Sequence, residues 1–432
     1  MNRILLPMLA VSLIASPTAF AAVSDADIEQ MRVQLAAMSQ QLEELAAENA
    51  ELRRNQEQAT TAIADVQTSV AEVRSAEIPA ASESWTDRIR LDGDFRYRYE
   101  YIDVQNSSSR ERNRIRARAN VKADLADDVE VGFGLATGGD DPVSTNQTLG
   151  SGGSSKNVVL DLAYVDWEAA DGLHIFGGKF KNPLTRVGKN SLMWDGDWTS
   201  EGIAVGYKRD WFFANALGTY LESDTRGNND NFAWGTQIGA SGEIGGAKVK
   251  GGIAYYSIDA KGDPTTFGDP ADPGDYFGNT AVEASGLACG STGAACQYLY
   301  DYHLTEVFAE AAFEVGGLST LVFFDYVKND DPSDNDTGWS VGTKIGQAKD
   351  HGQVQFSYYY ADKEADSMLG LLTDSDFGGG GTDSKGHWLQ LNYGINKTWT
   401  IGAQYFINEI DQNSGSERDF DRLMIDTQWK WK

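Results

Sequence analysis

A chain of 432 residues with 64 acidic against 36 basic side chains carries a formal charge of −28. That excess argues against a nucleic-acid partner, whose affinity rests on basic groups meeting phosphates. A hydrophobic content of 41% fits a soluble protein and equally a barrel whose apolar residues alternate with polar ones, so order along the chain must decide.

Residues 1–21 read as a signal peptide. Arg3 gives a short basic region, residues 4–14 are apolar apart from Ser12, and Ala19-Phe20-Ala21 supplies the small–x–small cleavage pattern. The apolar stretch is far shorter than the ~20 residues of a spanning helix, and no later segment reaches that length. An exported protein without a transmembrane helix is expected.

Residues 25–76 carry an unbroken heptad pattern. Ile28, Leu35, Leu42, Asn49, Gln56, Ile63 and Val70 fall at one seam position; Met31, Met38, Leu45, Leu52, Ala59, Val66 and Val73 fall at the other. This predicts an α-helical coiled coil in the periplasm, with Asn49 and Gln56 fixing register at some cost in stability. A solvated single helix is the plainer alternative, but Glu and Gln around a narrow apolar seam suit an oligomer better. Residues 77–84, with Pro79, read as a linker.

From Trp85 the period changes to two. Ile89, Leu91, Gly93, Phe95, Tyr97, Tyr99 and Tyr101 alternate with Arg90, Asp92, Asp94, Arg96, Arg98 and Glu100; Ile115, Ala117, Ala119, Val121, Ala123 and Leu125 alternate with Arg114, Arg116, Arg118, Asn120, Lys122 and Asp124. So charged a face must meet water while the other meets something apolar. Further runs near 129–138, 157–168, 173–181, 201–208, 211–222, 231–244, 247–257, 299–315, 318–327, 337–345, 352–360, 385–395, 398–408 and 418–431 bring the expected strands to sixteen. Every second connection is short, as at Arg209-Asp210, Gly245-Gly246, Gly316-Gly317 and Asn396-Lys397. Those between are long and rich in Gly, Asp, Asn and Ser, as at 139–156, 258–298 and 361–384. Segregated short turns and long loops, with aromatics near strand ends, predict an all-β fold over 85–432: a sixteen-stranded antiparallel transmembrane barrel. Cys289 and Cys296 are the two cysteines. Export favours a disulfide between them, and two thiols without an adjacent histidine make a poor metal set.

The segment Leu173-His174-Ile175-Phe176-Gly177-Gly178-Lys179-Phe180-Lys181-Asn182-Pro183, followed by Trp194-Asp195-Gly196-Asp197 and Glu201-Gly202, resembles a pattern of the bacterial putative porins and, more loosely, of the phosphate-selective porins. The order of signal peptide, coiled coil and barrel resembles them too. The resemblance implies an outer-membrane location, a homotrimer, and a third long loop, 182–200, folded into the pore. It also implies recognition by the barrel-assembly machinery through a C-terminal aromatic. Here Lys432 follows Trp431, so that signal is shifted by one residue.

With Ile115 and its partners towards lipid, Arg96, Arg98, Arg112, Arg114, Arg116, Arg118, Lys122 and Arg422 are expected to line one wall of the pore. Lys179, Lys181, Arg186, Lys189, Asp195 and Asp197 are expected at the constriction. Pairing with Asp92, Asp94 or Asp124 is the alternative use of the wall cations. Asp330, Asp331, Asp334, Asp336, Asp374, Asp376 and Asp383 read as acidic outer loops. Passive diffusion of small hydrophilic solutes or ions, leaning to anions, is the expected function, with no cofactor, metal or catalytic step. Gly338-Trp339-Ser340-Val341-Gly342 matches a nucleophile elbow in letters only, since no helix follows it. The competing reading is an envelope tether or adhesin whose barrel is plugged, by loop 258–298 for instance, and whose rod oligomerises.

Overall fold

The computed structural model describes residues 85–432 except 140, 224–230, 264–275, 293 and 414, together with residues 53, 54, 57, 60 and 61. Two compact units are present, Met1–Ser82 and Glu83–Lys432. In the first, the five described residues are helical. The expected signal peptide, the linker and all the named seam positions of the heptads lie outside the described residues.

The second unit has sixteen long strands among its described residues: β1 (Ile89–Val104), β2 (Arg110–Ala126), β3 (Val129–Thr137), β4 (Val158–Ala170), β5 (Leu173–Lys181), β6 (Thr199–Arg209), β7 (Phe212–Glu222), β8 (Asn231–Ile244), β9 (Ala247–Ile258), β10 (Tyr302–Val315), β11 (Leu318–Asn329), β12 (Thr337–Gly346), β13 (Val354–Lys363), β14 (Ser384–Gly394), β15 (Trp399–Ile410) and β16 (Arg418–Trp431). Each pairs antiparallel with its sequence neighbours. β16 closes on β1, from Gly93 opposite Trp431 to Val104 opposite Phe420. The alternation explains closure: neither face of such a strand tolerates an open edge beside it, and a barrel leaves none.

Turn chemistry sets one rim. Gly245 and Gly246 have φ of 59° and 83°, and Gly316 and Gly317 have 58° and 78°, the left-handed pair that a two-residue hairpin needs to follow the strand twist. The outward face is apolar and exposed; Ile253, Val307, Phe324 and Val341 on successive strands β9–β12 are 44–53% accessible. An apolar band of that extent around a closed barrel is made for hydrocarbon. A lysine in place of Ile253 is therefore expected to cost about 2–4 kcal/mol if that position lies near the bilayer midplane. Urea unfolding of vesicle-inserted protein measures it, and an unchanged midpoint would place this face elsewhere than in lipid.

The interior is filled unevenly. Residues 182–198 and 364–383, which are long loops in the chain order, turn inward. Leu184, Leu192, Met193, Trp194, Trp198, Met368, Leu369, Leu371 and Leu372 are buried in one cluster with Phe180, Leu217, Tyr256, Tyr302, Leu304 and Val327 from strands β5 to β11. Trp194 stacks on Trp198 with centroids 4.7 Å apart and meets Tyr256 edge-on. Full burial of each large apolar side chain contributes about 1.5–3 kcal/mol, so this side of the barrel cements both loops. The opposite wall, β16–β1–β2, is mostly charged on its inner face, with Met424 of β16 buried in a second cluster that includes Phe377 and Phe406.

Candidate functional site

The charged wall begins with the alternation of β1 and β2, which aims every second side chain inward. Arg96 lies opposite Arg116, Arg98 opposite Arg114 and Glu100 opposite Arg112. Arg98 grips Asp426 through Nε and Nη2 at 2.7 and 2.8 Å and reaches Asp376 at 3.2 Å. Arg116 and Arg118 share Asp94 at 3.0 and 2.7 Å and both extend to Asp197, at 3.3 and 2.9 Å. Glu100, fully buried, is bonded by Arg112 and Arg422, and Arg422 also holds Asp376 at 2.7 Å. Lys122 stands 3.8 Å from Asp92. The wall cations are thus largely met by acids, some from the barrel and some, Asp197 and Asp376, from the infolded loops. Arg96 and Arg114 have no ion pair among the described residues; the Nη2 of Arg96 donates to the Asn146 amide oxygen at 2.7 Å.

The loops are fixed by buried polar contacts as well as by packing. Thr185 and Gln237 exchange two hydrogen bonds, 2.8 and 3.0 Å. Asn190 donates to Asp325 at 2.9 Å, and Arg186 donates to the Trp194 carbonyl at 2.8 Å. Arg186 therefore braces its own loop. The two loops are joined backbone to backbone, Asp195 N–H to the Leu372 carbonyl at 2.8 Å and Asp374 N–H to the Ser191 carbonyl at 3.2 Å. Ser375 N–H donates to the Asp195 carboxylate at 3.1 Å. A third segment clamps the second loop from above: the Asn279 amide donates to the carbonyls of Ala365 and Met368 and accepts from Gly370 N–H, all within 2.7–2.8 Å.

Between wall and loops lies a cavity of about 270 Å³, lined on one side by Arg96, Arg98 and Arg116 and on the other by Lys189, Asp195, Asp197, Asp374 and Asp376. Burial acts to raise all four of these carboxyls. For Asp376, Arg422 and Arg98 override it and hold the group below the usual carboxylate range. Arg116 and Arg118 do the same for Asp197. Asp195 is acted on by Arg186, but too weakly to override burial. Burial, then Asp374 and Asp197, push it well above that range, and burial with Asp376 raises Asp374.

Three expectations need correction. Asp374 and Asp376 are not outer-loop acids, because the apolar run Met368–Leu372 pulls residues 364–383 inward and carries them along. Lys179 does not line the interior. In β5 it is in register with Ala163 and Glu201, on the face of the exposed Ile203, and bonds Glu201 at 2.6 Å. Loop 182–200 turns inward as expected, but among the described residues 364–383 does so as well, which the alternating sequence pattern did not indicate. Lys181 lies apart from this cavity, in another of about 260 Å³ with Asp92, Asn120 and Lys122. Cys289 and Cys296 form a disulfide with Cα atoms 5.7 Å apart. Ser340 is buried within β12, 1% exposed.

A closed sixteen-stranded barrel, apolar outside, charged inside and narrowed by infolded loops, is the architecture of a porin. The chain belongs to the family described as Putative porin, whose model matches residues 101–276 and 291–431. Family and fold point to a channel rather than an enzyme. Among solved structures, the high-pH form of Pseudomonas putida OprB is similar at 14% identity and a TM-score of 0.54, covering 80% of this chain and 95% of its own. Salmonella typhi OmpF in complex with daunomycin gives 12% and 0.48, with 81% and 100% covered. A loop-deletion mutant of Vibrio cholerae OmpT gives 13% and 0.45, with 80% and 100% covered. No curated protein matches.

Proposed function

We propose that the protein is an outer-membrane porin through which small hydrophilic solutes diffuse passively, with a preference for anions. The observation that carries this reading is the arginine wall across a cavity from two infolded loops, inside a barrel wide enough to hold water when its strands number sixteen. The lean to anions follows from the charges that remain. Asp197 and Asp376 are matched by arginines, Asp195 is driven towards its neutral form, and Arg96, Lys189 and Lys344 at the same cavity have no ion pair among the described residues. A charged constriction selects most strongly where water is scarcest.

The remaining parts of the reading rest on sequence. Residues 1–21 direct export, residues 25–76 form a periplasmic coiled coil joined by 77–84 to the barrel at 85–432, and the aromatic C-terminal strand addresses the barrel-assembly machinery. The heptads favour assembly of more than one copy, and a homotrimer is the proposal. One observation favours the plugged-barrel alternative: residues 276–283 lock onto the second infolded loop through Asn279 and Thr280. Swelling of proteoliposomes decides between them. A porin admits arabinose and gluconate, gluconate faster than a cation of equal size; a plugged tether admits none.

A further inference from the structure

The geometry points to a binding subsite, within the pore, for small organic carboxylates that carry a flat apolar body. It rests on the porin reading and adds the solute class to it. The cavity of about 270 Å³ is lined by Arg96, Arg98, Arg116, Trp388, Gln390 and Gln404 among others. The neighbours of Arg96 are already committed: Arg98 to Asp426 and Asp376, Arg116 to Asp94 and Asp197. Arg96 stands between them with a neutral amide as its hydrogen-bond acceptor, and its Nε is enclosed without any. In a chain with 64 acidic side chains, none among the described residues forms an ion pair with it. A half-buried guanidinium flanked by two others is costly unless an anion joins it. Its planar fork matches a carboxylate in two parallel hydrogen bonds.

Trp388 in the lining of the same cavity supplies an apolar contact. Trp388 stacks on Tyr359, centroids 4.8 Å apart and 29° between planes. Its indole N–H is spent on Gln404 at 3.1 Å, so what it offers a solute is ring surface. Offset stacking on such a surface favours a flat ring over a compact ion. The volume suits that size, since a cavity of roughly 150 Å³ already holds benzene. Inorganic phosphate shares the oxyanion chemistry and lacks the flat body.

The test uses the full-length protein in planar bilayers. Current steps in potassium chloride alone report the channel, and benzoate added afterwards reports the subsite. The expected result is that benzoate interrupts the open current, benzamide at equal concentration does not, phosphate does so less, and Arg96→Gln weakens the benzoate effect about tenfold or more. Steps that benzoate leaves untouched, or interrupts no better than benzamide or phosphate does, overturn the subsite while the porin reading stands. Unaltered benzoate block in Arg96→Gln also overturns it; should that variant fail to insert, the benzamide comparison on the wild-type protein decides. Absence of steps in chloride overturns the porin reading first, and the subsite with it.

Discussion

Asp376→Asn is expected to destabilise the barrel by roughly 3 kcal/mol and to shift its selectivity further towards anions. Asp376 joins Arg98 at 3.2 Å and Arg422 at 2.7 Å, two side chains that are only 2% exposed. An amide keeps the shape and removes the charge, so Arg422 is left with Glu100, already shared with Arg112, as its one acid beside the carbonyls of Ser375 and Asp376. Breaking a buried pair costs about 3–5 kcal/mol; the lower end applies because Asp376 retains 23% exposure. The same change removes one negative charge from the cavity wall and weakens the attachment of loop 364–383 to the arginine side, which then rests on the Ser375 and Asp376 carbonyls. Denaturant unfolding reads the first effect and the reversal potential under a salt gradient reads the second. A variant as stable as the wild type, with an unshifted reversal potential, would show that the pairing does not hold the loop.

Raising pH is expected to loosen the junction of the two infolded loops, and Asp195→Asn to weaken that response, leaving the part due to Asp374. Burial and the neighbouring carboxyls raise Asp195 and Asp374 above their ordinary values, so the folded junction favours their protonated forms. Its stability is therefore present at mildly acidic pH and is lost as pH rises through the raised values, when like charges form side by side. Asp376 and Asp197 behave oppositely. Held below the ordinary range by arginines, they contribute stability above about pH 4, the unperturbed carboxylate value, and lose it as pH falls through their lowered ones. The loops are thus most tightly fixed in mild acid, and open-channel conductance should climb from there towards alkaline pH. Conductance that is flat with pH, or that keeps its slope in Asp195→Asn, contradicts this.

Much of the fold was legible because a period of two is imposed residue by residue. Lipid outside and charge inside leave no freedom in β1 or β2, so Phe95, Tyr97 and Val121 outside and Arg98 and Arg116 inside can be read from order alone. The turns at Gly245-Gly246 and Gly316-Gly317 were legible for the same local reason. The loops were not. An inward fold depends on contacts distant in sequence, such as Asn190 with Asp325 and Asp195 N–H with the Leu372 carbonyl, and no local pattern records them. One signal was available: Met368, Leu369, Leu371 and Leu372 make an apolar run within an acidic loop, which solvent would not tolerate. Lys179 misled because it precedes the infolded loop, while its register with Glu201 is fixed by the pairing of β5 with β6.

A porin of this build must let water and ions pass between the arginine wall and the infolded loops. Planar-bilayer recording of the purified, refolded protein under a potassium chloride gradient tests that most directly. Discrete conductance steps are expected, with a reversal potential of the sign set by chloride. Correctly inserted barrels that carry no current would contradict the porin reading and leave an anchored, plugged barrel in its place.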